Sequence, residues 1–315
     1  MKTKKKKKEN NLRLRLTIRL NSVYNINMIN LNETEKIMNI YENITNAILQ
    51  QLEKGTAPWR ADWNRDLSLP RNSKGDPYSG INVPILWTAT MAKGYSNPSW
   101  MTYKQAQTLG GQVKKGEKAS NVVYWSTFQK EKENGETDSI PFMKSYAVFN
   151  VEQIEHLPES FYESPKGAYK NLDDKIAHVD GFVTGTKANI GHGGGRCFYA
   201  PASDSIKMPN FGDFKNAQAY YAALLHELTH WTGHESRLAR KFGHGNAEYA
   251  REELVAELGA AFLCARLEIE NAPNESHASY LGEWLKILKS DSKAIFQAAS
   301  LAQKASDYLY GLQNA

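Results

Sequence analysis

The sequence contains little cysteine: Cys197 and Cys264 are the only two in 315 residues, and they lie far apart. They form neither a Cys-x-x-Cys motif nor a disulfide framework, which argues against a redox centre and against a disulfide-rich secreted fold. No stretch approaches 18 consecutive apolar residues, so no transmembrane helix and no membrane partner are predicted. Arg13, Arg15 and Arg19 interrupt the apolar runs near the amino terminus, so no secretory signal is predicted and a cytoplasmic location is expected.

Two other catalytic motifs are also missing. There is no Gly-x-Ser-x-Gly nucleophile elbow, so the glycine loop at residues 192–195 is not supported as the oxyanion loop of an esterase. The same glycines do not form Gly-x-Gly-x-x-Gly after a clear strand, which disfavours a dinucleotide site. No segment of 20–50 residues repeats, which excludes a repeat architecture.

The most informative segment is His226-Glu227-Leu228-Thr229-His230, which spells His-Glu-x-x-His inside a stretch that predicts a helix. Residues four apart share one helix face with Cβ atoms roughly 5–6 Å apart, so the two imidazoles can bind one Zn²⁺. Glu227 is the expected general base for the attacking water. The alternative is an amphipathic helix with two surface histidines, because the motif fixes only three positions.

A third ligand is required, because catalytic zinc sites use three protein ligands and keep one position open. Residues 251–265 predict a second helix, which is apolar almost all round after its first turn and therefore buried. Glu253 and Glu257 lie on one face of it, and buried carboxylates are costly unless they are paired or bind a metal. We therefore predict one Zn²⁺ per chain, bound by His226, His230 and Glu253.

Two further residues are expected close to the metal without binding it. Glu257 is predicted to accept the free ring N–H of a ligating histidine, with His226 preferred, and so to fix its tautomer. His234 follows a glycine that is expected to end the helix, so it is a candidate for a contact around the ligands, a substrate contact or a capping histidine. The donor that stabilises an oxyanion is left open between Tyr249, His234 and His244.

The net charge of +5 is unevenly distributed. Residues 1–30 contain nine basic side chains and one acid, residues 38–150 contain 13 and 10, and residues 151–315 contain 16 and 21. The segment 1–37 has no pattern able to build a core and is expected to be a basic disordered arm. Two alternatives stay open: the lysine run binds phosphates, or the native start lies at a later methionine.

A chain of this length exceeds the usual single core, so two domains are expected. Helix and strand patterns alternate over residues 38–155, whereas residues 169–315 are mainly helical. Pro158 and Pro165 predict a linker over residues 156–168. The expected fold class is α+β, with a small α+β domain in front of a mainly helical one.

The front domain interleaves aromatic and basic side chains. Single-strand binders combine a positive groove with aromatic faces on which bases stack. However, tryptophans usually lie in cores and lysines usually face solvent, so composition alone favours nucleic-acid binding only weakly.

Several segments resemble the ArdC family of antirestriction proteins, in the family's order. In the front domain they are Ala57–Arg60, Tyr78–Val83, Trp100–Ala106, Leu109–Lys118 and Phe149–Gln153. Residues 226–234 and 252–262 are similar to the metallopeptidase domain that follows in that family. A similar front domain also occurs in some plasmid primases. The resemblance spans about residues 38–312, and the arm before it has no counterpart.

The resemblance implies a single-stranded-DNA-binding domain followed by a zincin-like metallopeptidase domain. It also implies carriage on a mobile element such as a conjugative plasmid, and protection of incoming DNA from restriction. A protein substrate is expected if the peptidase is active. The candidate DNA contacts are Trp59, Arg60, Tyr78, Asn82, Trp100, Tyr103, Lys104, Lys114, Lys115 and Lys118.

Two other functions stay open. One is a non-catalytic protein that masks single-stranded DNA and whose metal site is structural. The other is a self-standing peptidase whose basic arm merely binds polyanions. An intact Glu227 favours catalysis, because a purely structural site does not need a general base.

Overall fold

The computed structural model describes seven parts of the chain. They are residues 37–60, 68–131, 137–163, 169, 171–241, 245–271 and 277–314. Thr45–Ala315 forms one compact unit, and the described residues 37–44 belong to a separate one. The predicted arm, residues 1–37, lies outside the described ranges except for its last position. No helix within these ranges is long and apolar enough to cross a membrane.

The amino-terminal half is a mixed α+β structure, as its sequence pattern predicts. Its helices are α1 (residues 37–52), α2 (Asn82–Lys93) and α3 (Tyr103–Thr108). Its strands are β1 (Trp100–Thr102), β2 (Gln112–Val113), β3 (Ser120–Glu131), β4 (Thr137–Asn150) and β5 (Ile154–Glu155). The antiparallel order is β1-β4-β3, and β2 pairs with β5. Helix α2 ends at Gly94, whose φ of +73° is the left-handed conformation that glycine tolerates best.

The segment predicted as a linker is largely part of this half. Leu157 is buried in a small core with Met101 and Ile154, and Phe161 packs against that core. The Asn97 amide donates to the Phe161 carbonyl at 3.0 Å. Residues 164–168 lie outside the described ranges.

The carboxyl-terminal half is mainly helical and carries one small sheet. Its helices are α4 (Leu172–Gly185), α5 (Ala217–Trp231), α6 (Asn246–Arg266), α7 (His277–Ser290) and α8 (Ala294–Gly311). Its strands are β6 (Asn189–His192), β7 (Phe198–Ala200) and β8 (Ser205–Met208). Strand β8 is central, parallel to β6 and antiparallel to β7.

Helix α5 lies in the core of this half, in contact with both the sheet and α6. Leu225 and Leu228 are fully buried in one cluster with Ile206 of β8 and Leu263 of α6. Burying such side chains contributes about 1.5–3 kcal/mol each, so the core determines the position of α5.

Helices α5 and α6 approach each other closely at Gly259. A Cβ built there would lie 2.4 Å from Cγ2 of Thr229, which no real contact allows. The glycine therefore lets the two backbones come close together. This brings the histidine helix and the glutamate helix into contact, as their sequences predicted.

The two halves share an apolar interface. The Trp87 ring on α2 lies 5.9 Å from the Phe262 ring on α6, measured between centroids. The Trp59 ring lies 6.3 Å from Trp284 on α7, in an edge-to-face arrangement. The Asn271 amide donates to the Trp59 carbonyl at 2.8 Å.

Candidate metal centre

Three side chains predicted as metal ligands lie together at the α5–α6 contact. His226 and His230 of α5 and Glu253 of α6 are all buried, and each offers one ligand atom within 4.8 Å of the others. Nε2 of His226 lies 3.5 Å from one Glu253 carboxylate oxygen, and Nε2 of His230 lies 3.4 Å from the other. Within the described ranges, this is the one group of three or more His, Cys, Asp or Glu side chains with such a geometry.

Local sequence explains how α5 presents its histidines. The side chain of Asn216 accepts the Ala219 N–H at 2.8 Å and begins the helix. Every residue from Tyr220 to Trp231 is buried, so α5 has no solvent face around the motif. The alternative of an amphipathic helix with surface histidines is therefore wrong for this chain.

His230 has a carboxylate partner that the sequence analysis missed. Nδ1 of His230 lies 3.2 Å from Oε1 of Glu252. Arg240 donates to the same carboxylate, with Nη2 at 2.8 Å from Oε1 and Nε at 3.2 Å from Oε2. The signal in the sequence was the pair of adjacent glutamates, but the Arg240 loop could not be placed beside them from sequence.

Glu257 lies beside the other histidine, as predicted, although not at hydrogen-bonding distance. Its Oε1 is 4.0 Å from Nδ1 of His226. Its carboxylate instead accepts two hydrogen bonds from Arg60, from Nε at 3.0 Å and from Nη2 at 2.8 Å. Because both partners are buried, this is a charge-assisted, two-point interaction shielded from solvent.

The cluster strongly favours positive charge. Burial alone raises the pKa of Glu253, but its interactions with His226 and His230 outweigh this and lower that pKa far below its usual range. Burial likewise disfavours a charged His230, yet Glu252 and Glu253 raise the pKa of His230 to about 10. A buried group in which carboxylates face two imidazoles suits a divalent metal.

The donor set also fits a metal. Two imidazole nitrogens and one carboxylate oxygen are the protein ligands of one class of catalytic zinc site, and the remaining ring nitrogens face carboxylates as in many such centres. His226, His230 and Glu253 are therefore the residues that would hold the ion.

Glu227 lies on α5 between the two histidines and is buried, but it makes no hydrogen bond or ion pair within the described parts of the chain. Its charge acts on Cys197, whose pKa is raised to about 11, first by burial and then by Glu227. Cys197 directly precedes β7.

The three candidates for an oxyanion donor differ in their surroundings. Tyr249, at the start of α6, has a raised pKa, first because of burial and then because of the charge of Glu253 and a hydrogen bond with it. His234 instead bonds Ser236 at 2.8 Å, in the turn after α5. His244 lies outside the described residues. Tyr249 is therefore the candidate that contacts the ligand cluster.

Three of the predicted DNA contacts require correction, because their side chains are buried. Trp59 and Trp100 have no exposed surface and cannot offer a ring face to a base in this conformation. Arg60 is occupied by Glu257. The sequence pattern misled here because core tryptophans and stacking tryptophans look alike in a single sequence.

The other residues predicted to contact DNA differ in their exposure and in the hydrogen bonds that they already make. The Asn82 amide is used by the backbone of Val123, donating to its carbonyl at 2.9 Å and accepting its N–H at 2.8 Å. Tyr78 is half-buried, and the Lys114 ammonium donates to the Glu152 carbonyl. The exposed members of the predicted set are Tyr103, Lys104, Lys114, Lys115 and Lys118.

An exposed aromatic surface lies on the β3–β4 ribbon. Tyr124 is 53% exposed and Tyr146 is 44% exposed, and their rings meet edge to face at 6.4 Å. Lys144 pairs with Tyr124 across the strands and lies over the Phe142 ring. Successive side chains of a strand point to opposite faces, so these four side chains lie on one face of the ribbon. We call them the ribbon face.

Comparison with known families matches both halves of the chain. The family model described as the N-terminal domain of anti-restriction factor ArdC matches residues 38–149. The family model described as a zincin-like metallopeptidase matches residues 177–301.

Three relatives match this chain across both halves. The chain is 36% identical over 289 residues to protein y4eC of Sinorhizobium fredii, covering 87% of this chain and 92% of that protein. It is 36% and 37% identical to two Escherichia coli proteins named DNA primase TraC, again over 87% of this chain. The match spans only 27% and 20% of those primases, so it concerns one part of a longer protein.

Two solved structures are similar to this chain. The metal-free structure of the antirestriction protein ArdC from the R388 plasmid has a TM-score of 0.76 at 42% identity. The Mn(II)-bound structure of that protein has a TM-score of 0.74 at 41% identity. Each comparison covers 87% of this chain and 97% of the other.

Proposed function

The chain belongs to the ArdC family of antirestriction proteins, and we propose that it binds single-stranded DNA and carries an active, zinc-dependent peptidase centre. On this proposal it protects a mobile element's DNA as that DNA enters a restricting cell. The observation that carries the enzymatic part is the buried Glu227 carboxylate, which has no structural partner within the described residues, beside the His226, His230 and Glu253 cluster.

We assign His226, His230 and Glu253 as the ligands of one divalent ion. The Mn(II)-bound structure of the R388 ArdC protein supports a divalent metal in this family, and the two-imidazole, one-carboxylate donor set favours zinc in the cell. An ion held there supplies Lewis acidity for the hydrolysis of a peptide bond.

The remaining steps use side chains of this protein. A Glu227 carboxylate oxygen accepts the proton of the attacking water and then delivers it to the leaving amine nitrogen. The Tyr249 hydroxyl donates a hydrogen bond to the carbonyl oxygen as negative charge develops on it. Glu252 and Arg240 hold His230 in one orientation throughout, because its Nδ1 is already bonded.

Exchange of Glu227→Gln tests the enzymatic part. The variant preserves shape but cannot accept the proton, so peptide hydrolysis should fall by about 10²–10⁴-fold. Zinc content should stay equal to that of the unmodified chain, and Glu235→Gln, an exposed glutamate beyond the same helix, serves as the control. Loss of zinc together with activity would show instead that Glu227 has a structural role.

The same variant separates the proposed enzyme from a protein that only masks DNA. If hydrolysis is part of protection, Glu227→Gln should fail to protect transferred DNA from restriction while binding it normally. Full protection by an inactive variant would favour the masking function, with a metal site that is structural.

We place single-stranded DNA on the ribbon face, with the exposed lysines of the same domain as phosphate contacts. Tyr124 and Tyr146 present accessible rings, which is what base stacking requires, and Lys144 adds a cation beside them. The exposed Lys104, Lys115 and Lys118 suit counterion-releasing contacts with the backbone.

Alanine exchange at Tyr124 and Tyr146 tests this surface. Each stacked base contributes roughly 1–3 kcal/mol, so each exchange should weaken oligo-dT binding by about 5- to 150-fold. Phe198→Ala is the matched control, because Phe198 is an equally exposed aromatic residue in a strand of the other half. Unchanged anisotropy titrations for both tyrosine variants would place the DNA elsewhere.

A further inference from the structure

Arg60 joins the two family-defined domains at the metal centre. It belongs to the segment Ala57–Arg60 within the amino-terminal match, whereas Glu257 belongs to α6 within the zincin-like match. The Arg60 guanidinium donates to both oxygens of the Glu257 carboxylate, at 3.0 and 2.8 Å. The exposed fractions of the two side chains are 10% and 4%, so the pair is shielded from water.

The Glu257 oxygen that accepts from Nη2 of Arg60 also faces a predicted metal ligand. Its Oε1 lies 4.0 Å from Nδ1 of His226, and Glu257 is one helical turn after Glu253 on the same face of α6. A carboxylate this buried is costly without a cation, so Arg60 both compensates its charge and limits where its oxygens can lie.

The backbone that carries Arg60 is itself anchored to the carboxyl-terminal half. Ala57 and Trp59 are buried, and the Trp59 carbonyl accepts a hydrogen bond from the Asn271 amide. The Trp59 ring packs on Trp284, whose indole N–H donates to the Ala250 carbonyl at 2.8 Å, in the first turns of α6. The backbone beside Arg60 is thus fixed on the carboxyl-terminal half by a hydrogen bond and by ring packing, both at Trp59.

We propose that Arg60 is a positioning residue of the metal centre: it fixes the Glu257 carboxylate, whose charge faces Nδ1 of His226, so the amino-terminal domain completes the metal site of the zincin-like domain. This inference rests on the proposed metal site. It reassigns a residue that the sequence grouped with the DNA contacts. A simple role in joining the two halves is a weaker explanation, because the apolar contacts at Trp59 and Trp87 already join them without a buried charge.

The test uses the full-length chain and measures metal affinity rather than activity. The double variant R60Q/E257Q removes both charges together, which avoids leaving one buried and unpaired. Binding of Mn²⁺ is followed by loss of the free-ion EPR signal, and binding of Zn²⁺ by competition with a chromogenic chelator. Mutation of the residues that partner ligating histidines typically lowers metal affinity 10–100-fold. A loss of about tenfold or more is therefore expected for both ions.

Two further variants separate positioning from general stability. Arg60→Lys keeps the charge but loses the two-point geometry, so an intermediate affinity is expected. Arg266→Gln removes another α6 ion pair, with Asp307, which lies away from the ligands. It should lower the melting temperature and leave both metal affinities unchanged. Oligo-dT affinity should be unchanged in R60Q/E257Q, because Arg60 does not contact DNA on this account.

The outcomes are distinct. If the unmodified chain binds neither ion, the proposed metal site is overturned and this inference with it. If the unmodified chain binds both ions and R60Q/E257Q binds them within about twofold, only the positioning role is overturned. If R60Q/E257Q does not fold, the Arg60→Lys affinity decides, because a folded lysine variant with unchanged metal binding also overturns it.

Discussion

Nδ1 of His230 lies 3.2 Å from Oε1 of Glu252, while its Nε2 lies 3.4 Å from Glu253. Neighbouring residues of α6 thus contact opposite sides of one imidazole. Arg240 holds the outer carboxylate and also donates to the Thr229 carbonyl at 2.6 Å and the Thr232 hydroxyl at 2.7 Å. The turn after the histidine helix therefore takes part in orienting its second histidine.

Exchange of Glu252→Gln should weaken metal binding. The amide lacks the negative charge that pairs with Arg240. That charge also favours a proton on Nδ1 of His230, which leaves Nε2 as the atom that binds a metal. We expect about 10–100-fold lower zinc affinity, measured by chelator competition. Glu283→Gln, which only breaks a surface pair with Lys286, is the control and should change nothing. Equal affinities for the two variants would remove Glu252 from the metal centre.

Exchange of Tyr249→Phe should slow hydrolysis without loss of metal. Only the hydroxyl is removed, and an oxyanion donor is typically worth about 10²–10³-fold in kcat. KM and zinc content should stay close to those of the unmodified chain. A variant that keeps its kcat would contradict the role of Tyr249, and His234 and His244 would then be the next residues to exchange.

Exchange of Gly259→Ala should push α5 and α6 apart. The new methyl group overlaps the Thr229 side chain, and overpacking of this kind costs about 1–3 kcal/mol in the free energy of unfolding. The second exchange Thr229→Ala should recover much of that loss, because the nearest remaining side-chain atom is Cβ at 3.2 Å.

Urea unfolding measures both effects of the Gly259 exchange. Gly282→Ala is the matched control: it lies in helix α7 with nothing within 4 Å of the added methyl, so it should stabilise slightly. If Gly259→Ala is as stable as Gly282→Ala, the close helix approach is not a constraint.

The pair Asp204–Arg237 should make stability depend on pH. Arg237 donates to both Asp204 oxygens and lies over the Trp231 ring, linking the turn before β8 to the end of α5. Hydrogen bonds from Arg237 are the main cause that lowers the pKa of Asp204. A lowered folded-state pKa stabilises the fold above the unfolded value of about 3.9, and this contribution is lost as the pH falls through the folded value.

Exchange of Asp204→Asn isolates that charge, because asparagine tolerates the left-handed backbone of this position, where φ is +45°. Asp204 is more than a third exposed, so solvent screening keeps the expected loss near 1 kcal/mol at pH 7. The difference between the two chains in urea unfolding should shrink below about pH 4. A difference that is independent of pH would show that the ion pair is not its source.

Much of the metal centre could be predicted from sequence because its chemistry is local. A four-residue spacing on a helix determines which side chains share a face, so His226 and His230 were placed together, as were Glu253 and Glu257. Their ligand and partner roles stay predictions. Arg240 and Arg60 reach the cluster from loops, and no periodicity places a loop against a helix.

The amino-terminal half was harder to interpret at the level of single residues. Alternating helices and strands were expected over residues 38–155, but the direction in which each aromatic side chain points depends on tertiary packing. Trp59 and Trp100 became core residues, whereas Tyr124 and Tyr146 became surface residues. Tertiary packing and, for the strand residues, the register separate these cases.

The most direct test of the account is an anomalous difference map, recorded at the zinc edge from a crystal of the full-length chain grown with zinc. We predict one peak per chain, in contact with Nε2 of His226, Nε2 of His230 and the carboxylate of Glu253. A map without a peak between these three side chains, or with its only peak elsewhere, would contradict the metal centre.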